Sequence, residues 1–244
     1  MSVEIKQANL SLGGRLVLDQ INLKVQAGEF LSILGPSGAG KSSLLKAMAG
    51  ILSLDNGEIV VDGKKVTSLN TYFSYMPQEA MLLDWLTVSQ NITLYQSINQ
   101  IPVDQSELME MLEMAGLIEF KEAMPHELSG GMRHRVAFLR TLMNPSKYLL
   151  LDEPLGALDA MTRNLMQDWL LELLDHYPRT TILVTHDIDE AIYLSDRICL
   201  LSQRPAQVER IYNIDTNKRS RQWIAGQGAL RNDIYQQLQA NSYL

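Results

Sequence analysis

The run Gly35-Pro36-Ser37-Gly38-Ala39-Gly40-Lys41-Ser42-Ser43 has the spacing G-x-x-x-x-G-K-[ST], a set of residues suited to holding a polyphosphate. Glycines let successive backbone N–H groups turn inward around an anion, and the helix that follows adds the positive end of its dipole. Lys41 is then spaced to reach the β- and γ-phosphates, and the Ser42 hydroxyl to ligate Mg²⁺. A second group lies far along the chain, where the apolar run Tyr148-Leu149-Leu150-Leu151 ends in Asp152-Glu153. An apolar strand ending in two acids delivers them to the carboxyl edge of a sheet, where open α/β folds bind ligands. There Asp152 can hold Mg²⁺, directly or through water, and Glu153 can polarise an attacking water. Alone, such paired acids would be solvated loop charges; beside a phosphate loop they make a hydrolytic pair.

These groups need strands and helices to carry them. Residues 17–25, 29–34, 59–66 and 71–76 read as strands, with Asp62-Gly63 as a hairpin turn and Pro77 as a stop. From 87 to 143 the pattern turns helical: Leu108, Met111, Leu112 and Ala115 recur at helical spacing, and Gly116 is placed to end that helix. A strand over 147–152, a helix over 159–174, a strand over 181–185 and a helix over 187–194 follow. Strand–helix alternation predicts a parallel sheet of the α/β class, with the middle helices inserted into it. The tail from Tyr212 holds a polar, basic stretch at 217–221, then a helix near 230–238.

The 244 residues suffice for one large domain, and 46% hydrophobic with 20% charged residues suits a globular protein with a substantial core. No stretch approaches the roughly 18 apolar residues of a membrane span. The opening MSVEIKQANL lacks a signal-peptide pattern, and the single Cys199, expected in the core, fits a reducing cytosol. A net charge of −7 argues against nonspecific nucleic-acid binding and against adhesion to anionic lipid, so any membrane link should run through a protein partner.

Leu128-Ser129-Gly130-Gly131-Met132, ahead of a helical run and shortly before the Asp152-Glu153 strand, resembles the signature of ABC ATPases. Gln78 after a strand, Leu158-Asp159 after Glu153, and His186 after Ile182-Leu183-Val184-Thr185 extend the likeness over essentially the whole chain. It implies a P-loop NTPase core of the ABC ATPase type, with an N-terminal antiparallel β subdomain and an inserted α-helical subdomain. The expected division is 1–86 and 146–211 for the core, 87–145 for the helices and 212–244 for a short tail. It further implies ATP and Mg²⁺ as cofactors, and a head-to-tail dimer with each ATP between one phosphate loop and the opposite signature. On that reading Ser129, Gly130, Gly131 and Met132 serve the other subunit's ATP, and Asp159 organises the facing site. Gln78 senses Mg²⁺ or the attacking water, while His186 contacts the γ-phosphate and holds Glu153 in register.

Three departures stand out. Met132 occupies a position where many relatives carry glutamine, and Gly156 one where serine is common. In Ser11-Leu12-Gly13-Gly14, Leu12 stands about where relatives place an aromatic residue against adenine, leaving only apolar contact from Leu12 and Val17. Weak discrimination of ATP from GTP is the expectation. A finer likeness is to importer ATPases of the nitrate, sulfonate and taurine group, which includes thiamine-precursor transporters. It is carried by Leu82-Leu83-Asp84-Trp85-Leu86-Thr87-Val88, by Pro154-Leu155-Gly156-Ala157-Leu158-Asp159-Ala160, and by Ser202-Gln203-Arg204-Pro205. It implies a motor on the cytoplasmic face of the membrane, bound through Met81, Leu82 and Trp85 to a permease and through that to a solute-binding protein. Trp85 could instead pack inside the helical lobe. The rival class is a non-transport ABC ATPase working on nucleic acid or ribosomes; the single cassette, modest insertion and acidic balance disfavour it.

Overall fold

A computed structural model describes residues 2–156, 158–215 and 219–240. Ala157, and Asn217 and Lys218 of the expected basic stretch, lie outside the described residues. In chain order the elements are β1 (Ser2–Leu12), β2 (Arg15–Gln26), β3 (Phe30–Leu34), α1 (Lys41–Met48), β4 (Asn56–Val61), β5 (Lys64–Val66) and β6 (Phe73–Met76). Then come α2 (Val88–Ile92), α3 (Leu94–Asn99), α4 (Gln105–Met114), α5 (Gly130–Met143), β7 (Tyr148–Asp152) and α6 (Ala160–His176). The chain closes with β8 (Thr180–Val184), α7 (Ile188–Leu194), β9 (Arg197–Leu201), β10 (Val208–Asn213), α8 (Arg221–Ala225) and α9 (Gly228–Ala240).

The strands form two sheets. An antiparallel sheet runs β2-β1-β4-β5, and a six-stranded sheet runs β10-β9-β3-β8-β7-β6. In the second, β9, β3, β8, β7 and β6 are parallel and β10 is an antiparallel edge. Strand β10 was not foreseen, and it takes Tyr212 and Asn213, the expected opening of the tail, into the sheet. Strand β1 was not singled out either, because its irregular register against β2 breaks the alternation that would reveal it.

Alternation along β7 decides which layer each side chain enters. Leu149 and Leu151 join the helices α2, α4, α5 and α6 in one core, while Tyr148 and Leu150 join α1 and the antiparallel sheet in another. Asp152 shares the parity of Tyr148 and Leu150, so it faces α1. A third core gathers Ala191 and Ile192 of α7, Tyr212 of β10 and Ile234 of α9. The helices start where hydrogen-bonding side chains can cap them. Thr87 and Gln90 make a reciprocal capping box on α2, and Asp104, Ser129, Asp159 and Asp187 accept from backbone N–H groups at the starts of α4, α5, α6 and α7. Gly116, with φ 64°, follows α4 as expected.

The two arginines of the expected basic stretch that are described are not a free patch. Arg219 bonds the Ser195 carbonyl at 3.1 Å and faces Asp196. Arg221 pairs with Asp168 at 2.8 Å and lies 3.9 Å over the Tyr193 ring. Both fasten the tail to the body of the molecule.

Candidate functional site

Parallel register brings three strand ends to one edge. Asp152 pairs with Val184, and Ile33 pairs with Val184, so the segments leaving β3, β7 and β8 emerge side by side. The Glu153 N–H donates to the Val184 carbonyl at 2.8 Å, and the Thr185 N–H to the Ile33 carbonyl at 3.3 Å. Gly35, Glu153 and His186 are thereby neighbours although they lie far apart along the chain.

The loop 35–40 then curls into α1. Gly40 is its N-cap residue with φ 112°, a backbone conformation that side chains bearing a Cβ rarely adopt. It is also crowded: a Cβ here would stand 2.7 Å from Val17 Cγ1 and 3.1 Å from Leu18 Cδ2. Lys41 is buried, and its Nζ donates to the carbonyls of Gly35 at 2.9 Å and Pro36 at 3.0 Å. Burial lowers its pKa, opposed by the charges of Glu153 and Asp152. The lysine thus braces the loop with its ammonium directed at carbonyls a phosphate can replace.

Beneath the loop, Ser42 Oγ donates to Asp152 Oδ1 at 2.8 Å and Tyr75 OH to Asp152 Oδ2 at 3.0 Å. Burial, then the Asp152 charge, raises the Tyr75 pKa, so the phenol stays a donor. The Ser42 and Asp152 oxygens suit a hard cation: their separation is close to the roughly 2.9 Å edge of an octahedron with bonds of about 2.0–2.1 Å. Glu153 follows with φ 47°, off the strand. One of its oxygens lies 3.0 Å from His186 Nδ1, the carboxylate mostly covered and the imidazole largely open. A cavity of about 270 Å³ is lined by Ser37, Gly38, Gly40, Lys41, Ser42, Ser43, Glu153 and Arg204.

The remaining expected residues sit apart from that cavity. Ser129 caps α5, accepting from the Met132 N–H at 3.3 Å, and Gly130 and Gly131 form the first turn. Asp159 caps α6 and accepts from the N–H groups of Met161 and Thr162, each at 3.1 Å. Its hydrogen bonds with Thr162, the side-chain bond first, lower its pKa. Gln78 is exposed two residues past β6, and since Met76 pairs with Leu151, it leaves the sheet at the same edge as Glu153. Leu12 closes the β1–β2 hairpin opposite Arg15 and is 39% exposed. Val17 has no exposed surface; it is wedged under Gly40, and the exposed apolar neighbour is Leu16. Met81 and Trp85 are 62% and 72% exposed, whereas Leu82 packs partly against the helical core. Trp85 is therefore not a core residue of the helical lobe.

Several residues that carry the site were missed by sequence reasoning. Tyr75 and Arg163 belong to no motif. Arg163 pairs with Asp187 at 2.9 Å and donates to the Leu158 carbonyl at 3.0 Å, tying the segment before Asp159 to the segment after His186. Arg140 of α5 donates to the carbonyls of Met81 at 2.8 Å and Ala80 at 2.8 Å, clamping the stretch after Gln78 to the helix that Ser129 opens. Glu190 is buried at the start of α7 and accepts from Thr185 Oγ1. Burial pushes its pKa up to about 7.

Comparison with known proteins follows the same lines. Residues 18–156 match the family described as ABC transporter. An uncharacterized ABC transporter ATP-binding protein of Methanocaldococcus jannaschii is 40% identical over 228 residues, covering 89% of this chain and 85% of that one. The aliphatic sulfonates import ATP-binding protein SsuB of Bacillus subtilis is 41% identical over 216 residues, covering 88% and 84%. Among solved structures, a dimeric ATP-binding cassette in a post-hydrolysis state bound to ADP and Pi superposes with a TM-score of 0.74 at 30% identity, covering 87% of this chain and 99% of that one.

Proposed function

The chain belongs to the ABC transporter ATP-binding family, and from that premise we propose that it is the ATP-hydrolysing motor subunit of an importer. The observation that carries this reading is a division of the site. The phosphate loop, Asp152, Glu153 and His186 gather at one sheet edge, while Ser129, Gly130, Gly131 and Met132 form the cap and first turn of a helix in the other lobe and line none of the phosphate cavity. A chain holding both halves apart completes its site by meeting a second copy head-to-tail, one phosphate loop facing the other's signature. ATP lies between them, and Asp159 of each copy orders the facing site.

In the closed dimer the loop N–H groups and Lys41 hold the β- and γ-phosphates. Ser42 and Asp152, with Gln78 at the same edge, would hold Mg²⁺, which supplies charge neutralisation at the phosphate oxygens. Glu153 accepts a hydrogen bond from the attacking water, and His186 keeps that carboxylate in place. Water forms a bond to the γ-phosphorus as the bond to the bridging oxygen breaks, yielding ADP and phosphate. Adenine rests on apolar surface near Leu12.

The permease would seat on the segment 79–85, where Met81 and Trp85 are exposed and Leu82 packs partly against the helical core. Arg140 links that segment to the signature helix, so a push there reaches the site. No described helix is long and apolar enough to cross a membrane, so attachment at the cytoplasmic face runs through the permease, with a solute-binding protein beyond it. Likeness to the sulfonate-importer ATPases favours a small organic anion as solute, the choice lying with the permease and binding protein.

Affinity purification from gently solubilised membranes tests this. A multispanning permease should co-purify, and Trp85→Ala should weaken its recovery while basal ATPase activity persists. Glu153→Gln should lower turnover by about 10²–10⁴-fold with ATP binding retained. Recovery of ribosomal or DNA-associated proteins and no permease would leave the hydrolysis standing and overturn the importer role.

A further inference from the structure

Residues 202–207, between β9 and β10, bring a cation to the phosphate cavity, Arg204, to which the importer-group likeness of Ser202-Gln203-Arg204-Pro205 gives no role. The loop is closed on itself: the Ser202 N–H donates to the Gln207 carbonyl at 3.0 Å, and the Gln207 N–H to Ser202 Oγ at 2.9 Å. It is also sewn to β2. The Ala206 N–H donates to the Val17 carbonyl at 2.8 Å, the Asp19 N–H to the Ala206 carbonyl at 2.9 Å, and Gln207 Nε2 to Asp19 Oδ2 at 2.7 Å. Val17 is the residue wedged under Gly40, and the Leu201 carbonyl would stand 3.1 Å from a Cβ at Gly35. The loop is thus fixed against both ends of the phosphate loop.

Arg204, at the tip, lines the same cavity as Ser37, Gly38, Gly40, Lys41, Ser42, Ser43 and Glu153. Lys41 has its Nζ engaged with two loop carbonyls. Arg204 is exposed, and among the described residues its guanidinium has no hydrogen-bond or ion-pair partner. An always-charged fork of donors, uncommitted among the described residues and carried by a residue that lines a polyphosphate-sized cavity, is matched to phosphate oxygens.

We propose that Arg204 binds the phosphates of the nucleotide, adding a second cation to Lys41. The contact rests on the nucleotide-site reading above. It is to phosphate rather than to the base, so it strengthens ATP and GTP alike. Because the loop is held by backbone bonds and Gln207, changing Arg204 leaves the fold intact.

The test is calorimetric titration of ATP and of GTP without Mg²⁺, so that nothing is hydrolysed, into the unaltered chain and into Arg204→Gln, Arg204→Lys and Lys41→Ala. Arg204→Gln should raise both dissociation constants by about tenfold, equivalent to about 1.4 kcal/mol, and Arg204→Lys, which keeps the charge but not the fork, should restore only part of that loss. Thermal unfolding should show all chains folded. Affinities unchanged within twofold, or a loss confined to one base, would each overturn the phosphate contact. If the unaltered chain does not bind ATP, or if Lys41→Ala binds as well as it does, the nucleotide-site reading itself fails.

Discussion

Replacing Gly40 by alanine tests how the phosphate loop is held. Two separate penalties meet at this position. The backbone sits at φ 112°, and an added Cβ would lie 2.7 Å from Val17 Cγ1, inside van der Waals contact. Val17 is β-branched and wholly buried, with a stiff side chain and no open side to turn toward. The backbone term is worth about 1–2 kcal/mol and overpacking about 1–3 kcal/mol, so Gly40→Ala should cost roughly 2–5 kcal/mol. Gly38 is the internal control. Its φ is 75° but a Cβ there would meet nothing within 4 Å, so Gly38→Ala should show only the backbone term. Urea unfolding at fixed pH gives both values, and Gly40→Ala should cost less in the Val17→Ala background than in the unaltered chain, because the clashing methyl is gone. If Gly38→Ala and Gly40→Ala are equally destabilised, or Gly40→Ala costs as much in the Val17→Ala background, the packing of Gly40 on β2 is not what shapes the loop.

Glu190 should leave a pH signature on stability. Burial raises its pKa from the ordinary 4.5 to about 7; the folded state then binds more protons than the unfolded state between those values, and stability falls as pH rises through that window. Glu190→Gln should flatten this slope in unfolding measured from pH 4 to 8, by an amount on the order of 3 kcal/mol across the window. An unchanged slope would place the titration elsewhere. Arg140→Ala removes two guanidinium bonds to the backbone after Gln78 and should uncouple transport from hydrolysis: basal ATPase within a few-fold, permease-stimulated ATPase in vesicles reduced by roughly tenfold or more for bonds of about 1.5–3 kcal/mol. With Leu12 exposed and Val17 hidden, Leu12 offers the base an apolar contact but no aromatic ring to stack on, and the turnover constants for ATP and GTP should be comparable. A preference above roughly tenfold, about 1.4 kcal/mol, would require a base-specific contact elsewhere.

Much of this was legible in the chain because the chemistry is local. The phosphate loop is nine consecutive residues, the acids end one apolar strand, and strand–helix alternation announces a parallel sheet. Helix starts were readable where a capping side chain adjoins the run, as at Asp159 and Asp187. Strands β1 and β10 were less legible, since irregular pairing and an edge position erase the period-two pattern.

What the sequence determined by itself, then, is the set of chemical groups and the order in which the elements present them, because both follow from neighbours within a few residues. Which distant groups meet was decided only by tertiary structure. The register of β3, β7 and β8 sets Glu153 beside His186; side-chain parity along β7 turns Asp152 toward Ser42; backbone pairing of residues 202–207 with β2 carries Arg204 to the phosphate cavity. Arg140 and Arg163 act through long side chains that reach backbone carbonyls of other segments, and a carbonyl is the same at every position, so no residue type marks the partner. The exposure of Trp85 belongs to the same class, since an aromatic residue is equally at home in a core or an interface until packing leaves it uncovered.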